Sequence, residues 1–116
     1  MDFLKDEQAL KCIRNNDRDG LDKINSYHPR IIIEELKNDL ENLEWFFKYV
    51  VDKEYLFPGA GSYFYTKVNN NKTFDLYKQY GVDACNCHKG CVTNEQWDYL
   101  LEIKYITKNQ HNEGCA

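Results

Sequence analysis

The run Cys85-Asn86-Cys87-His88-Lys89-Gly90-Cys91 gathers four of the chain's eight Cys and His residues into seven positions. Thiolates and imidazoles bind zinc, form disulfides or act as nucleophiles, so a loop this dense in them implies chemistry or a staple. A second group, His111-Asn112-Glu113-Gly114-Cys115, stands near the last residue of the 116-residue sequence. A structural zinc site takes four Cys or His donors, usually as two close pairs that the fold brings together. Cys87 and Cys91 form one such pair and His111 and Cys115 the other, in the pattern Cys-x3-Cys-x19-His-x3-Cys. The expected ligands of one Zn2+ are therefore Cys87, Cys91, His111 and Cys115. Cys85 and His88 are alternates, because neighbours in so tight a loop seldom all reach one ion, and Cys12 is a more remote substitute.

Other chemistry competes for the same residues. Five cysteines, an odd number, fit a disulfide framework poorly. A thiol nucleophile needs a lowered pKa and a nearby base, and Cys87-His88, or Cys91 ahead of the final helix, would supply both. A thiol-dependent enzyme or redox protein using the Cys85–Cys91 loop is thus one alternative. Adjacent residues rarely point at each other, however, no acidic partner stands out beyond Asp83, and a Cys-x-x-Cys redox motif is absent.

Three weaker patterns lie outside the two clusters. Asn15-Asn16-Asp17-Arg18-Asp19-Gly20 opens like a calcium loop, but Asp22 and Ser26 stand where an aliphatic residue and a bidentate Glu belong. A helix cap at Asp17 or Asp19 explains the same residues. Tyr63, Phe64 and Tyr65 beside Lys67 and Lys72 have the residue types that stack single-stranded bases, and a single-stranded nucleic-acid-binding zinc module is a second alternative. Pro58-Gly59-Ala60-Gly61-Ser62 lacks the Gly-Lys-Ser/Thr of a phosphate loop and reads as a turn.

These groups must be positioned by mostly helical elements. Residues 3–15 read as a first helix with Leu10 and Ile13 on one face, broken at Asn15-Asn16-Asp17. Leu21 and Ile24 mark a short second helix that ends at Ser26-Tyr27-His28-Pro29. The strongest periodicity runs over 31–52, where Leu36, Leu40, Leu43, Phe47 and Val50 recur at spacings of four and three. Trp45 lies off that stripe and is the candidate exposed anchor for a partner. The loop from Phe57 to Ser62 divides the chain into two halves. Tyr63–Val68, aromatic and β-branched, predicts a short strand, and Thr73–Gly81 a helix. Thr93 and Gln96 have capping-box spacing ahead of a final helix reaching about Ile106, followed by a polar tail.

Leu10–Asp17 and Leu36–Asp39 are similar segments, each followed by a helix-like apolar pattern. This loosely resembles the helix–turn–helix of ankyrin-type repeats, without their Thr-Pro-Leu-His signature and with too few units for a solenoid.

Composition bounds the function. With 42% hydrophobic and 29% charged residues and two prolines, the chain is globular and of one-domain size. A net charge of -4, with three Arg among fifteen basic residues, argues against a dedicated nucleic-acid binder. The apolar stretches are too short for a membrane span, and the acidic start MDFLKDEQ lacks the apolar core of a signal peptide. The expected compartment is the cytoplasm, or a host cytoplasm if the source is viral.

The expected fold is α+β and mainly helical. A single domain, 1–116, comprises a helical half (1–57) and a small aromatic and Cys-rich half (58–116) with a short strand or hairpin and one or two helices. The expected function is non-enzymatic: a small soluble protein of the inhibitor or immunity type, with a structural zinc site, acting on a larger protein partner.

Overall fold

The computed structural model describes residues 3–57, 59 and 61–116, so Met1, Asp2 and, in the expected 57–62 loop, Pro58 and Ala60 lie outside the described residues. The chain divides into two compact units, Met1–Pro58 and Gly59–Ala116.

The described residues of the first unit form two helix–turn–helix pairs. Helices α1 (Phe3–Arg14) and α2 (Arg18–Asp22) form one pair, α3 (Pro29–Leu36) and α4 (Leu40–Asp52) the other. In both pairs an aspartate starts the second helix. Asp17 accepts the Gly20 N–H at 2.9 Å, and Asp39 accepts the Asn42 backbone N–H at 3.5 Å. These caps satisfy amide donors that the first turn of a helix leaves without partners. The oxygen-rich Asn15–Gly20 segment is therefore a helix start. A Cβ on Gly20 would lie 2.3 Å from Asp17 Oδ2, which is why a glycine stands there.

The continuous helix expected over 31–52 is two helices. The apolar stripe runs through the break without losing phase, so periodicity alone cannot reveal it. Asp39 N–H bonds to Leu36 O at 2.8 Å, closing α3 while the Asp39 side chain opens α4. Ala9, Ile13, Leu21, Ile32, Ile33, Leu36, Leu43, Phe46 and Phe47 form the unit's buried core. Asp6 is buried with them and tied to the start of α3: its carboxylate accepts the His28 N–H at 2.7 Å and faces His28 Nδ1 at 3.0 Å.

The second unit contains α5 (Lys72–Gln79), α6 (Asn94–Glu102) and α7 (Lys108–Glu113), with single 3-10 turns at Ser62–Phe64 and Lys89–Cys91. The α+β expectation is overturned. Among the described residues, helix accounts for 59% and strand-type pairing for 2%, with no sheet and no C-terminal strand or hairpin. At the expected strand Tyr63–Val68, local turns take up the backbone donors: Phe64 N–H bonds to Gly61 O, and Tyr65 N–H to Ser62 O. Phe64 and Tyr65 are both buried, whereas consecutive residues of a strand face opposite sides, and Lys67 has φ 55, far from extended.

The tyrosines that suggested a strand have another use here. Their rings fill the core, and their hydroxyls bond carbonyls of irregular backbone. Tyr77 donates to Phe64 O at 2.7 Å, Tyr65 to Asp83 O at 2.8 Å, and Tyr105 to Val82 O at 2.6 Å. A buried carbonyl outside regular structure needs such a partner, and tyrosine supplies it without opening the core to water.

α5 ends in a Schellman turn. Gly81 is left-handed at φ 77, its N–H reaches Lys78 O, and Val82 N–H reaches Tyr77 O at 2.8 Å. The Thr93–Gln96 capping box opens α6. The tail is not extended coil: Thr107 and Gln110 form a second capping box that starts α7. No helix among the described residues is long and apolar enough to cross a membrane.

Candidate functional site

The loop that carries the cysteines is aimed by the aromatic core before it. The Tyr65 and Tyr105 hydroxyls lie 3.1 Å apart and hold the successive carbonyls of Asp83 and Val82. Asp83 Oδ1 then accepts the Cys85 N–H at 3.0 Å, and Cys87 N–H closes a turn on Ala84 O at 2.8 Å. From Cys87 the backbone meets the C-terminal tail. Lys89 N–H donates to Gly114 O and Ala116 N–H to Cys87 O, both at 2.9 Å, so that His88 and Cys115 face each other as an antiparallel bridge.

Gly114 makes this meeting possible. At φ 80 and ψ 10 it terminates α7 in the left-handed region and turns the chain toward the loop. The 3-10 turn after His88 folds the loop back on itself: Cys91 N–H bonds to His88 O at 2.9 Å, and Cys91 Sγ lies 3.0 Å from His88 Nε2.

The sequence-derived ligands are therefore brought together unevenly. Cys91 touches His88, one of the alternates, and Cys115 stands across the bridge from that histidine. Cys87 is buried at 1% exposure. Burial pushes its thiol up to about 12, and the neighbouring Cys91 adds to the shift. A thiol held protonated in this way is a poor nucleophile. Cys85, the other alternate, is exposed, with Asn86 Nδ2 at 3.5 Å from its sulfur.

His111 is engaged elsewhere. Its Nε2 donates to Asp98 Oδ1 at 2.8 Å, its ring stacks on Trp97 with centroids 5.9 Å apart, and its carbonyl accepts the Trp97 indole N–H at 3.1 Å. Among the described residues, no three His, Cys, Asp or Glu side chains already converge as a set that could hold a metal ion. The five cysteines are free thiols. Cys12 belongs to the first unit, where burial and Asp17 raise its pKa.

The other expected surfaces resolve simply. Phe64 and Tyr65, read as base-stacking residues, are buried, and Tyr63 is exposed. Trp45 is half-buried, stacks on Tyr49 at 5.8 Å and donates its indole N–H to Asn16. The large apolar side chains left open at the end of α4 are Val51, Tyr55 and Leu56, the last 94% exposed. Sequence periodicity missed them because they fall where the helix stops.

No protein-family profile, curated protein or solved structure matches the chain.

Proposed function

We propose that the chain is a small, non-enzymatic protein-binding module of the inhibitor or immunity type, working in a reducing compartment such as the cytoplasm. Its second unit is locked by one zinc ion bound between the Cys85–Cys91 loop and the C-terminal tail. The observation that carries this reading is the His88–Cys115 bridge, which joins the two Cys–His clusters although nineteen residues separate them. A metal there would fix the long 80–93 connection between α5 and α6, as structural zinc does in other small domains. The exposed Val51, Tyr55 and Leu56 support the binding half of the reading, because buried aromatic and apolar anchors carry most interface energy.

The test is native mass spectrometry of reduced, untagged protein with and without chelator. One zinc per chain, with a lower melting temperature after chelation, is expected. No metal, and melting indifferent to chelator, overturns the zinc reading.

The 3.0 Å contact between Cys91 Sγ and His88 Nε2 favours one other reading, a thiol activated by an imidazole. That arrangement predicts alkylation of Cys91 in native protein at neutral pH far faster than of the more exposed Cys85 and Cys115. Similar rates at all three remove it.

A further inference from the structure

We propose that the turn closing α4 is a docking surface, and that its occupant is a segment of a basic partner protein in which an apolar side chain stands beside Lys or Arg. The inference rests on the binding half of the reading above and adds the place and the chemistry of the partner.

The turn has a defined geometry. Glu54 N–H bonds to Val51 O and Tyr55 N–H to Val50 O, both at 3.0 Å, the Schellman pattern with Glu54 in the left-handed position at φ 57. The same pattern closes α5 with Gly81 and α6 with Lys104, so a charged residue is tolerated there. What sets Glu54 apart is its surroundings.

The side chains on either side of Leu56 are anchored. The Tyr55 ring meets Tyr49 edge-on at 6.3 Å, and the Phe57 ring meets Phe47 at 5.3 Å, so both neighbours lean on α4. Leu56 is left between them at 94% exposure, with Val51 and Tyr55 each about half exposed in the same turn. A lone surface leucine needs no explanation, but three open apolar side chains in one tight turn make an anchor patch.

Charge selects the occupant. The first unit, Met1–Pro58, holds thirteen of the nineteen acidic residues and nine of the fifteen basic ones, so the whole net charge of -4 falls on it. On α4 and at the turn the other charges meet in pairs: Arg18 with Asp52 at 3.0 Å, Lys53 with Asp22 at 3.0 Å, and Lys48 with Glu44 at 3.5 Å. Glu54 is exposed, and its carboxylate has no hydrogen-bond or ion-pair partner among the described residues. An apolar patch with an uncompensated carboxylate in it complements an apolar side chain next to a cation. The acidic unit around it draws a basic partner in.

A phage-displayed library of random peptides, selected on the full chain, tests the surface. Enriched peptides are expected to share Lys or Arg next to an aliphatic or aromatic residue, and to bind more weakly as salt is raised. Leu56→Asp should weaken them by about tenfold or more, the loss of an interface anchor, with the melting temperature unchanged. Glu54→Gly should weaken them by about two- to fivefold, the range of an exposed ion pair, yet melt at a higher temperature because glycine adopts φ 57 freely. A merely structural Glu54 would not move binding and stability in opposite directions. Peptides that lack a basic residue, or that bind Leu56→Asp as tightly as the parent, overturn this surface and leave the binding module standing. A lower melting temperature for Leu56→Asp would mean that the chain itself covers the leucine, and a dimer that Leu56→Asp abolishes would give the surface to a second copy; either overturns the proposal. A library that yields no binder overturns the binding reading with it.

Discussion

Replacing Gly114 by Ala tests whether the tail is turned onto the loop as described. Gly114 has φ 80, where an L-residue costs about 1–2 kcal/mol. Steric conflict adds nothing, because the nearest neighbour of an added Cβ is Lys89 Cβ at 3.9 Å, an ordinary contact. Alanine also restricts the unfolded chain, which returns about 0.4–1 kcal/mol. The net loss is about 1 kcal/mol, roughly a fivefold change in an equilibrium constant. Gly81 is the internal control, left-handed at φ 77 with open space around it, but at the end of α5 rather than α7. Gly81→Ala should cost the same in stability, measured by urea unfolding, and leave zinc affinity untouched. Gly114→Ala should cost stability and also weaken zinc about fivefold. A D-alanine installed at position 114 by semisynthesis should instead stabilise, since it prefers this conformation and meets no clash. Equal zinc affinities for the two L-alanine variants would refute the claim that the turn at Gly114 places a ligand.

Three further outcomes follow from the packing. Tyr65→Phe and Tyr105→Phe each leave a carbonyl, that of Asp83 or Val82, without its hydroxyl donor, and each should cost about 1–3 kcal/mol by urea unfolding. The double variant should cost measurably more or less than the sum, because the hydroxyls touch; strict additivity would contradict that coupling. Asp6→Ala removes a buried carboxylate from the His28 N–H and should cost about 1.5–3 kcal/mol, with Asp6→Asn losing less; a neutral Asp6→Ala would show that this bond does not hold α3. Burial lifts Tyr27 from 10.0 to about 12 and Tyr65 further in the same direction. Both raised values mean stability that is complete below pH 10 and lost as pH rises, through about 12 for Tyr27 and beyond it for Tyr65. Unfolding free energy that stays level across that window would contradict the burial of these hydroxyls.

The residues that could be read in advance were those whose signal is local. Thr93 and Gln96 announce α6, and the break at Asn15-Asn16-Asp17 announces α2, because a cap is a short-range hydrogen-bond pattern. α7 carried the same signal in Thr107 and Gln110, but its polar residues offer no apolar stripe, so it reads as tail. Periodicity hid the turn between Leu36 and Leu40 because the stripe stays in phase across it. Tyr63–Val68 misled for a different reason: aromatic residues signal burial as much as strand, and these rings serve a core whose loop carbonyls need hydroxyls. The Cys–His loop and the tail were legible as partners from spacing alone. The contact between His88 and Cys91 was not, because it depends on the 3-10 turn that folds the loop back after His88.

The most direct test of the central proposal is X-ray absorption at the zinc edge on the full chain loaded with one equivalent of zinc. Three sulfur scatterers at about 2.3 Å and one nitrogen at about 2.0 Å are predicted. A shell of oxygen and nitrogen alone, or fewer than three sulfurs, would contradict a site formed where the tail meets the Cys–His loop.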